Sequence, residues 1–270
     1  FIPRAVMNNL HSLTEFGEQK KINVSPVYAD VQFPDGRGGG KWHSVIVGGF
    51  REGGRGYYAL DVTEPDNPQI LWEIDHQWQN ADSEIPYPPM NNDMAVSVGQ
   101  ETEKKAEGLY PFIRMGYSYP EAIITNVIVD NEIVPVAVLP GGVSSGKPTT
   151  DCNSAGVCAP DVTGKAVFVV RLNPSSKDDL LVREFQFDTR ISGTPSAFPA
   201  GFNSIARVIY VGDENGALHR IDVSDPNMDN WKIDGVSVTT TGKVAKASQK
   251  LIPIFDPNNT KVLQGSIPKS

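Results

Sequence analysis

Short apolar runs rich in Val, Ile, Tyr and Phe alternate along most of the chain with clusters of Gly, Pro, Asn and Asp. Such runs, bounded by turn residues, are typical of β-strands. Nine segments fit: 43–50, 56–62, 69–74, 121–130, 133–140, 165–173, 180–187, 206–213 and 217–223. A short helix is predicted only at residues 3–14, where Val6, Leu10 and Leu13 share one helical face. The pattern therefore predicts an all-β protein.

The strands recur in a fixed order, which indicates an internal repeat. Residues 44–74 and 207–233 each run through an apolar strand, a Gly turn, a strand ending in Asp-Val, an acidic turn and a strand with Trp. A middle copy, 135–185, has the same order with a long insertion after its first strand. Structural roles in the turns are predicted for Gly49, Asp61, Asn173, Gly212, Asp213, Gly216 and Asp222, with Asp61, Asn173 and Asp222 in equivalent places.

One such small antiparallel sheet cannot bury both faces alone, so the copies are expected to stack. Stacked sheets of this kind close around an axis in a β-propeller. We therefore predict that residues 1–270 form a single propeller domain or a fragment of one, with insertions at about 76–120 and 143–163. The polar, Pro-rich stretch 76–93 is predicted to be an exposed loop.

The charge balance narrows the functional classes. The net charge is -8 with a pI near 5.0, and the basic residues are scattered. Nucleic-acid binding needs clustered Lys and Arg, so this class is not expected. No apolar run approaches the roughly 18 residues of a membrane span, and the pattern of the first residues, which lack a charged segment and a long apolar run, does not predict a signal peptide. The opening "FIPR", without an initiator Met, predicts a fragment of a longer protein.

Both cysteines, Cys152 and Cys158, lie in the loop "DCNSAGVCAPD". No second Cys or His pair stands at zinc spacing. Two interpretations stay open: a local disulfide in an oxidising compartment, which we favour, and two free cysteines in a cytosolic protein.

No catalytic motif is complete. Gly141, Gly146 and Lys147 in "GGVSSGKP" follow most of the P-loop pattern, but Pro148 replaces the hydroxyl residue. The glycines of "GRGGGK" (36–41) and "REGGRG" (51–56) are interpreted as hairpin residues of positive φ.

The four histidines, His11, His43, His76 and His219, form no metal-binding array. His219 is interpreted as a strand residue on a solvent or inter-blade face in preference to a base beside Asp222. We predict no catalytic residue and no bound cofactor.

Two acidic turns raise the question of calcium. "DVTEPDNPQ" and "DVSDPNMDN" lack the alternating spacing that wraps Ca²⁺, so turns closed by side-chain bonds to the backbone are favoured. Asp151, Asn153 and Asp161 around the cysteine loop are a weaker candidate.

In order along the chain, these motifs resemble the C-terminal β-propeller domain of PilC/PilY-type proteins, which sit at the tips of type IV pili. "FIPRAVMNNL" is similar to the family's Ile-Pro-Arg segment, and "MGYSYPEAII" to its Gly-Tyr-Ser stretch. The blades "VIVGGFREGGRGYYALDVTEPDNPQILWEI", "GKAVFVVRLN" and "IYVGDENGALHRIDVS" resemble three family blades, over about residues 1–233. The family's acidic calcium loop is replaced by "FPAGFNSIAR" (198–207), which has Asn203 and Ser204 but no carboxylate.

The resemblance implies a non-enzymatic module for pilus assembly, tip adhesion and twitching motility. It implies a place in the periplasm or outer membrane and at the pilus tip, pilins or minor pilins as partners, and a receptor bound through a preceding region. One alternative is a pyrroloquinoline quinone dehydrogenase, because the propeller blades of those enzymes also end in an Ala-x-Asp…Trp pattern, which is formed here by Ala59, Asp61 and Trp72. The other alternative is a periplasmic scaffold propeller.

Overall fold

The computed structural model describes residues 3, 25–34, 39–76, 111–144, 162–199 and 204–258. The predicted helix at 3–14, apart from Pro3, and the loop after residue 76 lie outside this part of the chain. All nine predicted strands are present, and the described residues contain two 3-10 helices, Arg51–Gly53 and Met228–Asn230. The strands are β1 Val27–Pro34, β2 Gly40–Gly49, β3 Gly56–Asp61, β4 Gln69–Asp75, β5 Ile123–Val129, β6 Glu132–Pro140, β7 Ala166–Arg171, β8 Leu181–Gln186, β9 Ser196–Phe198, β10 Val208–Gly212, β11 Leu218–Asp222, β12 Lys232–Ile233, β13 Val236–Thr241 and β14 Val244–Ala247.

The strands form two sheets. One has the order β1-β2-β3-β4, and the other the order β5-β6-β7-β8-β14-β13-β12-β11-β10-β9. Every neighbouring pair is antiparallel except β14 and β8. Three runs of four consecutive antiparallel strands, β1–β4, β5–β8 and β9–β12, contain the three sequence repeats and are called blades 1, 2 and 3. The predictions of an all-β chain and of propeller blades are confirmed.

Blade 2 is buried on both faces. Along β6, Val136 and Val138 belong to one core cluster, whereas Ala137 and Leu139, which point to the opposite face, belong to another. The first cluster includes blade 3 side chains such as Ile209, and the second includes blade 1 side chains. Two covered faces explain why β6 and β7 read as continuous apolar runs.

Blade 1 has one core face. Its buried side chains there are Val31, Phe33, Val45, Val47, Tyr57, Ala59, Trp72 and Ile74. Along β1 these alternate with exposed positions such as Tyr28 and Gln32, as expected for a strand with one solvated face. No helix among the described residues has the length and hydropathy needed to cross a membrane.

The predicted role of the glycines in the hairpin between β2 and β3 is wrong. Gly53, Gly54 and Gly56 were expected to supply left-handed φ, but in this turn the residue with left-handed φ is Arg51, at 51°, and Gly54 is extended with φ of 171°. Gly56 is required for a different reason, because a Cβ there would lie 2.3 Å from the Ile74 carbonyl oxygen. This glycine permits a close approach of β3 to β4. The predicted hairpin glycines at 36–38 lie outside the described residues, and Gly40 does not have positive φ.

Candidate functional site

A buried histidine links two carboxylates in blade 3. His219 on β11 is 5% exposed, with Nδ1 2.7 Å from Asp234 Oδ2 and Nε2 3.2 Å from Asp213 Oδ2. Its ring packs edge-on against Phe187, with centroids 5.2 Å apart. The favoured interpretation of His219 as a strand residue is correct in its strand, but the solvent-facing alternative is wrong because the side chain is buried. The disfavoured interpretation of His219 as a base named Asp222 as the neighbour, whereas the carboxylates that contact His219 are Asp234 and Asp213. We call Asp213, His219 and Asp234 the His219 cluster.

Asp213 organises the turn between β10 and β11. Its Oδ1 accepts the backbone N–H groups of Asn215 at 3.0 Å and Ala217 at 2.8 Å, and its Oδ2 accepts the Thr189 hydroxyl at 2.7 Å. Gly216 closes the turn with φ of +79°, a conformation that suits glycine. The two predicted turn residues Asp213 and Gly216 thus lie in one hydrogen-bonded turn.

Asp234 enters from a different turn. Together with Gly235 it has positive φ between β12 and β13, and its Oδ1 accepts the Arg220 backbone N–H at 2.9 Å. The His219 cluster therefore holds two turns of blade 3 together.

The protonation equilibria of the His219 cluster are shifted by these contacts. Burial alone would lower the pKa of His219, but hydrogen bonds to Asp234 and Asp213 outweigh burial and raise this pKa above its ordinary value. Burial would raise the pKa of Asp213, whereas the bonds from Thr189, His219 and the backbone lower it. The raised pKa of His219 and the lowered pKa of Asp213 each favour the charged form of that group, which suits a structural ion pair.

The predicted turn residues Asp61 and Asp222 make matching contacts. Asp61 Oδ1 accepts both the backbone N–H and the hydroxyl of Thr63, and Asp222 Oδ1 accepts both from Ser224, at 3.1 and 2.6 Å. The remaining oxygens contact His43 and Arg220, at 2.5 and 3.0 Å. These carboxylates bond to their own turns and do not converge on a cation site.

The middle repeat uses a different carboxylate. Asn173 is exposed at its turn, and Asp179 accepts the backbone N–H and hydroxyl of Ser175 at 3.1 and 2.9 Å. Asp179 also pairs with Arg171 at 2.8 Å. The turn of blade 2 is therefore closed by the carboxylate of Asp179, six positions after Asn173.

Segment 111–120, the end of the predicted insertion 76–120, joins blade 1 to blade 2. Ser118 is fully buried, and its Oγ accepts the Phe50 N–H at 2.7 Å and the Arg51 N–H at 3.3 Å. A Cβ on Gly49 would lie 2.8 Å from the Ser118 carbonyl oxygen, so Gly49 permits this approach. Sequence reasoning identified "MGYSYP" as a motif but did not find this role.

Tyr57 strengthens the same junction. Its hydroxyl contacts the carbonyl oxygens of Pro120 and Pro140 at 3.0 and 3.2 Å, which gives the fully buried phenol polar partners. Burial raises the pKa of Tyr57 far above its ordinary value, so the phenol stays neutral.

The other face of blade 1 carries an apolar row that sequence reasoning missed. Tyr28 pairs with Ile46, Ile46 with Leu60, and Leu60 with Ile70. Tyr28 and Ile70 are 62% and 60% exposed, and the two central residues are half-buried. We call these four residues the outer row. The alternation along β1 is the sequence signal that could have revealed it.

The residues named for a quinone enzyme have structural roles. Ala59 is fully buried in the core face of blade 1, and Trp72, 4% exposed, donates its Nε1–H to the Arg171 carbonyl at 2.9 Å. Asp61 accepts hydrogen bonds from Thr63 in the turn that follows β3. The three side chains therefore do not line a shared cofactor floor.

Several predicted residues lie outside the described part of the chain. They are Cys152, Cys158, Gly146, Lys147, Asp151, Asn153, Asp161, Asn203 and His11. Within the described part, no group of three His, Cys, Asp or Glu side chains is placed to hold a metal ion. At the edge of segment 198–207, Phe198–Pro199 is cis and the Ser204 hydroxyl donates to the Pro199 carbonyl at 2.9 Å.

Residues 3–124 match the family model described as the PilY1 beta-propeller domain. The chain is 48% identical over 79 residues to the type IV pilus biogenesis factor PilY1 of Pseudomonas aeruginosa PAO1, covering 27% of this chain and 6% of the relative. It is 40% identical over 75 residues to a PilY1 homolog of Xylella fastidiosa, covering 27% of this chain and 6% of the relative. The resemblance that the motifs predicted is confirmed.

A solved structure, the Pseudomonas aeruginosa PilY1 C-terminal domain, aligns with 83% of this chain and 33% of its own length, at 23% identity and a TM-score of 0.46. The matched segments cover only 6% of the curated relatives' own length in both cases above.

Proposed function

We propose that this chain is a propeller segment of an extracytoplasmic type IV pilus biogenesis factor. It supports pilus assembly by binding partner proteins, and it catalyses no reaction. The observation that carries the proposal is the match of residues 3–124 to the PilY1 propeller family, a range that contains all four strands of blade 1. Two relatives carry pilus biogenesis in their names, which supports the same role here.

The contacts of the His219 cluster favour a structural role over a catalytic role for these three side chains. In the His219 cluster the imidazole nitrogens and carboxylate oxygens contact one another and nearby turn groups. A general base needs a hydrogen bond to a substrate proton, and His219, 5% exposed, already has a carboxylate at each nitrogen. The buried charges of this cluster are therefore best explained as stabilising the turns of blade 3.

The finer parts of the role follow from the same family likeness. We propose that pilins or minor pilins are the partners, and that the protein works in the periplasm, the outer membrane and the pilus tip. Adhesion to a surface receptor and twitching motility are proposed as consequences of pilus assembly. A disulfide between Cys152 and Cys158 would suit this oxidising location.

Fractionation of the natural producing cell tests the location and the binding. Pili sheared from the surface are sedimented, and the protein is detected with an antibody against residues 25–258. We expect the protein in the periplasmic and outer-membrane fractions and in the sheared pili. In cells that lack the major pilin, it should leave the sedimented material. Confinement to the cytoplasm, or sedimentation that does not depend on pilin, would contradict the proposal.

A further inference from the structure

Strands β13 and β14 form a hairpin, residues 236–247, that joins blade 2 to blade 3. The strand order β8-β14-β13-β12 makes one sheet of two blades that would otherwise end at β8 and β12. β13 pairs antiparallel with β12, whereas β14 lies parallel to β8, with residues 244–246 opposite residues 184–186. Parallel pairing is slightly less stable per residue than antiparallel pairing. The attachment of the hairpin to β8 is therefore short and comparatively weak.

The hairpin adds little apolar surface to the core that blades 2 and 3 share. Among the described residues, the buried side chains that it contributes to this core are Val238 and Ala245, whereas Val138 and Ile209 belong to the blades themselves. Four further side chains of the hairpin are exposed: Ser237, Thr239, Thr241 and Lys246. Elements with few buried apolar contacts open at a lower free-energy cost than the core beside them. Blades 2 and 3 therefore keep most of their shared core when the hairpin detaches.

The tip of the hairpin is held by charged side chains. Arg183 of β8, 3% exposed, donates from Nη1 to the Gly242 carbonyl at 3.3 Å and from Nη2 to Asp229 Oδ1 at 3.1 Å. Lys243, in the turn of the hairpin, donates its ammonium to the Asp178 carbonyl in the turn between β7 and β8. Burial of a guanidinium costs desolvation free energy, so release of the hairpin returns Arg183 to water and offsets part of the lost contacts.

The other end of the hairpin is anchored. Asp234 and Gly235, both of positive φ, form the tight turn between β12 and β13, and Asp234 belongs to the His219 cluster. Just beyond β14, Ser248 donates its backbone N–H and its hydroxyl to the Ser237 carbonyl, at 3.0 and 2.7 Å. The hairpin is therefore bonded internally and fixed at one end, as a unit that moves about this turn requires.

We propose that the β13–β14 hairpin is a detachable clasp. It separates from β8 as a unit about the turn at Asp234 and Gly235, while blades 2 and 3 stay folded and packed. Detachment breaks the hydrogen bond from the Glu184 N–H to the Lys243 carbonyl, 2.9 Å long, and leaves the outer edge of β8 unpaired. An unpaired edge is a template for the addition of a further strand. The inference rests on the contacts of the hairpin and stands independently of the role in pilus assembly.

Hydrogen exchange at two amides distinguishes a clasp from a fixed part of the sheet. The Glu184 N–H bonds to the hairpin, whereas the Phe187 N–H, just beyond the same strand, bonds to the Lys165 carbonyl at 3.1 Å, beside β7. Phe187 is therefore the matched control, which reports opening of blade 2 itself. NMR measures the protection of both amides in the purified, monomeric 270-residue chain, relative to their intrinsic exchange rates.

A clasp predicts unequal protection of the two amides. We expect the Glu184 amide to be at least about tenfold less protected than the Phe187 amide, because the hairpin opens more often than the blade. A smaller difference would overturn the proposal, since the hairpin would then open only together with blade 2. This measurement uses the parent chain and does not depend on the folding of any variant.

Two variants test whether the contacts at the tip hold the clasp closed. Lys243→Ala removes the contact with the Asp178 carbonyl, and Lys246→Ala is the matched control at an exposed position of the same hairpin. Lys243→Ala should raise the exchange rate of the Glu184 amide about fivefold, through loss of a hydrogen bond from a charged group, and leave Phe187 unchanged. Lys246→Ala should change either rate by less than about twofold. Equal acceleration of both amides in Lys243→Ala, or of neither, would overturn the proposal.

Discussion

His219 and Asp234 lie 2.7 Å apart, between Nδ1 and Oδ2, although they belong to different turns of blade 3. The second imidazole nitrogen faces Asp213, so one side chain connects the β10–β11 turn to the β12–β13 turn. A buried ionic contact that spans two turns is expected to link the stability of the blade to pH.

We predict that the stability contribution of His219 is lost as the pH rises through the raised folded-state pKa of this side chain. Because the folded-state pKa of His219 is raised, its contribution is full below the unfolded value of about 6.5 and declines as the pH passes the higher folded value. The excess free energy of unfolding of the parent chain over His219→Gln should therefore be larger at pH 6 than at pH 9. Urea titrations at both pH values measure this difference.

Asp213 sets the acidic limit of the same contribution. Its pKa is lowered in the folded state, so its contribution is full above the unfolded value of about 3.9 and is lost as the pH falls through the lower folded value.

An NMR titration of the His219 ring in the parent chain provides an independent check of the raised His219 pKa that needs no variant. A midpoint at or below about 6.5, or an excess stability that does not change with pH, would contradict this assignment.

Ser118→Ala is expected to weaken the junction between blades 1 and 2. The substitution removes the side-chain acceptor of the buried Phe50 N–H, which should cost about 1–3 kcal/mol. Ser196→Ala, at an exposed position on β9, is the matched control and should change stability by less than about 0.5 kcal/mol. Denaturant unfolding of the two variants provides the comparison, and equal stabilities would show that Ser118 does not hold the junction.

The acidic turns provide a third prediction. Asp222→Ala removes the acceptor of the Ser224 N–H and hydroxyl and should cost about 1 kcal/mol. Asp222→Asn keeps an amide oxygen as an acceptor and should recover part of the loss. Asn173→Ala, at the equivalent exposed turn of blade 2, should be close to neutral. Thermal unfolding ranks the three variants, and a loss at Asn173 as large as that at Asp222 would refute the assignment of these turns.

Calcium is not expected to occupy a stoichiometric site of micromolar affinity in this chain. The carboxylates of Asp61 and Asp222 already accept hydrogen bonds within their turns, and segment 198–207 contains no carboxylate. Isothermal titration of the metal-free chain with CaCl₂ should therefore give only weak, non-saturating heats. A saturable one-to-one transition would reveal a calcium site and reverse this prediction.

The strands could be predicted from sequence wherever both faces of a blade are buried. The run from Val134 to Leu139 is apolar because its alternate residues enter two cores. β1 and β13 were missed because polar residues such as Asp30, Gln32 and Thr239 alternate with apolar ones, so no continuous run appears. The continuous apolar pattern therefore identifies doubly covered strands best.

The candidate site was only partly predictable for a different reason. Asp213 and Gly216 are close in sequence and belong to a recognisable turn, so their structural role was predicted. Asp234, by contrast, meets His219 from 15 positions away through the pairing of β11 with β12. Contacts set by strand pairing leave no local spacing signal, and the same holds for Ser118, which reaches Phe50 from 68 positions away.

The amount of pilin that can be sheared from the cell surface tests the central claim most directly. The gene is deleted in the natural producing organism and restored in full length, and pilin is measured in the sheared and whole-cell fractions. A role in pilus biogenesis predicts that sheared pilin is lost on deletion while cellular pilin remains, and that the restored gene returns surface pili. Unchanged sheared pilin in the deletion strain would contradict the account.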